Sequence, residues 1–158
     1  MIYIKENIST NDLYVYHATD SNNIKSILSK GLLSKPPFHS WEGMYTEDGL
    51  FLALDASVAE DYAENSDSEP EEIVVLKIRL SDLDPNCISY DWNNRCEYAD
   101  DINSFIYAKN IPPQYLEICD VQSEPGQNIY DFRYTDLFEI LLTTFDEECE
   151  TNLEWEEE

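Results

Sequence analysis

The chain has 158 residues, 42% of them hydrophobic and 13% aromatic, and it carries 34 acidic against 9 basic residues for a formal net charge of −25. A chain of this size and apolar content buries about two-thirds of its unfolded surface around one core, which excludes a disordered protein and gives no reason to expect a second domain. The charge repels phosphate backbones across a Debye length of about 8 Å at physiological salt, so direct nucleic-acid binding is disfavoured. Two readings of the acidity remain: a solvated shell that keeps the protein soluble, or a face that attracts basic partners.

In chain order, Leu13 to Tyr16 read as a short apolar and aromatic strand, with His17-Ala18-Thr19-Asp20 as its exit, so His17 is expected at a strand end. Asp20 or Ser21 caps a helix in which Ile24, Ile27, Leu28 and Leu32 recur at helical spacing, and Gly31 stops it. Leu33 to Asp48, with Pro36-Pro37, His39, Trp41, Gly43 and Tyr45, has the chemistry of a long loop; His39 reads as solvated, and Trp41 and Tyr45 as anchors of that loop. Gly49 to Leu54 is a buried strand, followed by a helix capped at Asp55 or Ser57 that carries Val58, Ala59 and Tyr62. Asn65 to Glu72 is an acidic turn, and Ile73 to Leu80, rich in β-branched residues, is the strongest strand and is placed centrally.

Ser81 to Asp101 reads as polar and irregular. Ser104 to Ala108 is a strand ended by Ile111-Pro112-Pro113, and Tyr115 to Val121 is the next. After Gly126, the residues Tyr134, Leu137, Phe138, Ile140, Leu141 and Leu142 predict an amphipathic helix covering an open side of the core. The run 146–158 holds eight acids and no base and reads as an acidic tail that frays, which leaves a single domain over 1–145. Cys87, Cys96, Cys119 and Cys149 lack metal or redox spacing, so free thiols and no metal are expected. No basic, apolar leader and no stretch near the roughly 18 apolar residues of a membrane span occur, which predicts a cytoplasmic protein with no membrane contact.

Taken in order, Tyr16-His17-Ala18-Thr19, the helix ending Lys30-Gly31-Leu32, the strand Gly49-Leu50-Phe51-Leu52, the helix bearing Tyr62 and the strand Ile73 to Leu80 resemble the ADP-ribosyltransferase superfamily. Tyr62 lies eleven residues after Phe51, the spacing that separates two nicotinamide-stacking tyrosines in the poly(ADP-ribose) polymerase branch; Phe51 replaces the first of them. Ile111-Pro112-Pro113-Gln114-Tyr115 is similar to a segment that follows the third motif in several small relatives. The resemblance spans Leu13 to Ile118 and implies an α+β fold, an ADP-ribosyltransferase-like split β-sandwich with flanking helices and a C-terminal acidic helix or tail. It also implies NAD as the substrate. His17 would hydrogen-bond a ribose hydroxyl and, with Ala18 and Thr19, form the first motif, the Ala18 backbone reading the nicotinamide amide. Phe51 and Tyr62 would sandwich the ring, a task that needs aromatic faces and no hydroxyl.

The third motif, an acid in most relatives, falls nine residues before Ile111, at Ile102, flanked by Asp101 and Asn103. A one-residue slip moves a strand side chain to the other face, so either neighbour is a candidate: Asp101 as the carboxylate that engages ribose and orients an acceptor, Asn103 as a sugar-holding amide that cannot act as a base. Either suits mono-transfer or NAD hydrolysis better than chain elongation. The first expectation is therefore a mono-ADP-ribosyltransferase acting on a protein with a basic surface, steered by charge. The second is a non-catalytic acidic interaction protein on the same fold, a nucleic-acid mimic that inhibits a basic protein, as in phage anti-defence. The third, an RNA 2′-phosphotransferase, shares the fold but needs clustered arginines, and this chain has only Arg79, Arg95 and Arg133.

Overall fold

Strand β1 (Tyr14–Asp20) shows how the chain divides its faces: Val15 enters the large core, whereas Tyr14, Tyr16 and Ala18 turn to a smaller cluster on the opposite side. This alternation is the period of two that any strand imposes. The computed structural model describes residues 13–34, 49–64, 72–91, 98, 101–133 and 135–157. The expected loop, with His39, Trp41 and Tyr45, lies mostly outside them, as do Cys96, Arg95 and Tyr134.

Asp20 caps a 3-10 turn at Ser21–Asn23, its carboxylate accepting from the Asn22 N–H, and helix α1 (Ile24–Lys30) follows. Gly31 ends α1 at φ +86°, a left-handed value that L side chains rarely adopt, and a Cβ there would collide with the Ile111 carbonyl oxygen. That close approach lets Leu32 and Ile111 exchange two backbone hydrogen bonds of 2.9 Å, which fastens the Ile-Pro-Pro segment to the end of α1. Ile24 and Ile27 pack against the large core, whereas Leu28 remains exposed.

Strand β2 (Leu50–Ala53) leads into helix α2 (Ala56–Glu64), and β3 (Ile73–Arg79) pairs with β1 over seven residues. That full-length partner extends β1 past the expected exit: Thr19 and Asp20 pair with Val74 and Ile73, and His17 sits mid-strand opposite Leu76. The expectation that His17 ends a strand is corrected, because ladder pairing with a β-branched neighbour overrides the polar character of Thr19 and Asp20. A second correction concerns the segment read as irregular: it contains β4 (Ile88–Tyr90), which pairs with β5 (Ser104–Tyr107) from Ile88↔Tyr107 to Tyr90↔Phe105. Three residues are too few for periodicity to register, and long-range pairing defines the strand. Strand β6 (Leu116–Cys119) completes the sheet beside β3.

The six strands run in the order β4-β5-β2-β1-β3-β6 with every neighbouring pair antiparallel, and helices flank this sheet. On one face, Leu52, Leu54, Leu76, Ile78 and Phe105 form the large core with Leu137, Leu141 and Phe145 of helix α3 (Asp136–Glu157). On the other, Tyr16, Ala53 and Val75 pack against Ala56 and Ala59 of α2. Helix α3 covers the edge strand β4: the Tyr90 N–H donates to the Thr144 hydroxyl at 3.0 Å, and the Tyr90 and Phe145 rings meet edge to face at 5.2 Å. The acidic C-terminal run continues this helix through Glu157.

Candidate active site

The sheet has a weak seam. Strands β1 and β2 register at one residue pair, Tyr16↔Ala53, against seven pairs between β1 and β3 and four between β2 and β5. One residue beyond that pair, where a ladder bond would continue, the His17 ring bonds the Phe51 carbonyl instead, with Nδ1 at 2.9 Å from the oxygen. A carbonyl only accepts, so Nδ1 carries the proton. Burial lowers the pKa of His17 below its ordinary value, against the opposing pull of this hydrogen bond, so the ring is neutral at physiological pH. A neutral imidazole protonated on Nδ1 has an acceptor lone pair on Nε2, the role that a ribose hydroxyl requires.

At the other end of the seam, Gln127 joins the two strands with its side-chain amide, which donates to the Tyr14 carbonyl at 2.9 Å and the Leu54 carbonyl at 2.7 Å. Among the described residues, one ladder pair and the side chains of His17 and Gln127 link the two sides of the seam, which divides the sheet into the halves β4-β5-β2 and β1-β3-β6.

Tyr62, half-buried on α2, donates its hydroxyl proton to the Asn103 side-chain oxygen at 2.9 Å, with the Ser104 Oγ at 3.4 Å. The Asn103 backbone carbonyl accepts from the Leu54 N–H at 2.8 Å, which ties this residue to the end of β2. Ser104 in turn donates to Asp91 Oδ2 at 3.5 Å. Both are buried, at 2% and 1% exposure. Asp91 and Ser104 were not among the residues singled out from sequence; they are ordinary polar residues until the β4–β5 register sets them side by side.

Of the sequence candidates, His17 and Phe51 meet through ring and carbonyl, and Tyr62 and Asn103 meet through hydroxyl and amide. Period-two parity puts Phe51 on the α2 face with Ala53 and turns His17 the other way, with Val15, so the two approach the seam from opposite faces. Ala18 belongs to the α2 face beside the seam, and the Thr19 hydroxyl accepts from the Asn23 side-chain amide at 3.3 Å. Ile102 is 3% exposed in the large core, whereas Asp101 is exposed, its N–H bonded to the Tyr98 carbonyl. Asn103 is thus the flanking residue that the structure sets beside Tyr62. Among the described residues, no group of three or more His, Cys, Asp or Glu side chains is arranged to hold a metal ion. None of the described helices is long and apolar enough to cross a membrane.

The chain order of a strand bearing His17, a strand bearing Phe51 and a helix bearing Tyr62 is the order on which the resemblance to ADP-ribosyltransferases rests, and comparison with protein families finds the same superfamily. The family model for the poly(ADP-ribose) polymerase catalytic domain matches residues 2–86, just over half of the chain. The protein belongs to this family of ADP-ribosyltransferase catalytic domains. The match contains His17, Ala18, Thr19, Phe51 and Tyr62 and ends before Asp91, Asp101 and Asn103. No match was found among curated proteins.

Proposed function

We propose that the protein is an NAD-dependent mono-ADP-ribosyltransferase that modifies a protein with a basic surface, and that the β1–β2 seam is the split of an ADP-ribosyltransferase-like β-sandwich. The observation that carries this reading is the His17 ring bonded to the Phe51 carbonyl, which opens the strand pair beside Ala18 and fixes Nε2 as an acceptor. NAD supplies a ribose joined to a good leaving group. In this reading NAD lies across the seam: the Nε2 of His17 accepts a ribose hydroxyl from the side of the sheet opposite α2, while on the α2 side the Ala18 backbone and the faces of Phe51 and Tyr62 hold the nicotinamide and Asn103, beside Tyr62, holds the reacting sugar. Nicotinamide leaves with the bonding electron pair, the acceptor on the target forms the new bond to the ribose carbon, and its proton passes to solvent.

An amide at position 103 cannot take a proton from the acceptor, which supports transfer of a single unit over chain elongation. The same observation favours a second reading, a non-catalytic acidic binding protein on this fold. Label on the adenylate part of NAD separates the two. Purified protein added to a cell lysate transfers label to a protein, and His17→Ala abolishes the transfer. An absence of transfer by the wild type contradicts the enzyme reading.

A further inference from the structure

Under α2, the sheet carries a buried polar row. Extending the Tyr90↔Phe105 register by one residue sets Asp91 opposite Ser104, which pairs with Ala53, which pairs with Tyr16. Asp91, at 1% exposure, is a carboxyl group in a place where a polar group must be hydrogen-bonded. The Ser104 hydroxyl donates to Asp91 Oδ2 at 3.5 Å. The Ser104 oxygen then faces Tyr62 as an acceptor at 3.4 Å, and the Tyr62 proton is directed to this oxygen and, at the shorter 2.9 Å, to Asn103 Oδ1. With Oδ1 engaged, the Asn103 amide is locked in one of its two flips, its Nδ2 turned away from Tyr62.

We propose that Asp91, acting through Ser104, is a positioning residue that orients the Tyr62–Asn103 pair. It takes the Ser104 proton, which turns the Ser104 oxygen to Tyr62 and the Tyr62 proton to Asn103, and so bears on which face of the Asn103 amide the site presents; this rests on the reading that Asn103 holds the reacting sugar. Asp91 touches no substrate in this account.

The test has two arms. In the ligand-free protein, Ser104→Ala and Asp91→Asn both move the Asn103 side-chain amide signals in a proton–nitrogen spectrum and accelerate their hydrogen exchange. Unmoved signals in both variants overturn the proposal, whether or not the protein turns over NAD. In the transfer assay, each variant lowers kcat by about tenfold with KM for NAD changed by less than about threefold. The further loss shrinks to less than about twofold in a Tyr62→Phe background, because the chain is already cut. Losses that add fully in that background show a general structural role and overturn the positioning role. A wild type without turnover contradicts the enzyme reading alone and leaves the spectroscopic arm to decide this one.

Discussion

At His17 the ring takes the place of a ladder bond, and its protonation follows from that position. Its pKa in the folded protein lies below 6.5, so between that lowered value and 6.5 the unfolded chain binds more protons than the folded one. The contribution is absent above 6.5 and becomes a loss of stability as pH falls through that window. A nuclear magnetic resonance titration should give His17 a midpoint below 6.5 with the proton on Nδ1; a midpoint above 6.5 contradicts the assignment. Gly31 offers a second test at this scale. Its positive φ and the Ile111 oxygen above it make Gly31→Ala cost about 1–3 kcal/mol, read by denaturant unfolding. His17, Phe51 and Tyr62 could be placed on strands and a helix from sequence because their segments carry clear patterns, although His17 lies mid-strand and not at a strand end. Counting back from Ile111 reached Ile102, which lies in the large core just before β5, and its neighbour Asn103 is the residue that meets Tyr62. Asp91 and Ser104 were not legible, since only the strand register joins them.

Among the elements, β1 and β3 form the rigid half of the seam, and β2 with β5 the other. Gln127 bridges the halves from a segment that itself belongs to neither. Replacing Gln127 with Ala removes its hydrogen bonds to the Tyr14 and Leu54 carbonyls and should cost about 1–3 kcal/mol. It should also raise hydrogen exchange around Tyr16 and Ala53, the one paired position, more than in β3; uniform exchange through the sheet would contradict the seam. Tyr16 steadies the same half from below, its hydroxyl donating to Glu124 at 2.8 Å while Lys77 approaches that carboxylate at 3.5 Å. Burial and this acidic neighbour push the Tyr16 hydroxyl pKa far above its ordinary range, so it remains a donor at any working pH. The strands β2, β3, β5 and β6 and all three helices could be read from pattern and caps. The true length of β1 and the existence of β4 could not, because both depend on partners distant in sequence.

Over the whole molecule, a net charge of −25 surrounds the proposed site, and NAD, its proposed substrate, is itself anionic. The neutral His17, the aromatic faces and the Asn103 amide add no further negative charge at the seam, which favours approach of NAD there over the acidic surface. The proposed basic protein target would gain from the same field, so its association should weaken at least tenfold as salt rises from about 0.05 to 0.5 M, read by binding kinetics. Salt-independent association would contradict steering. The most direct test of the account is NAD binding to the purified protein by calorimetry, wild type against His17→Ala. Binding that weakens by at least about tenfold in the variant is the predicted result, with the fold retained as judged by circular dichroism. Wild-type binding that is absent, or that is indifferent to His17, would contradict a seam built to hold NAD.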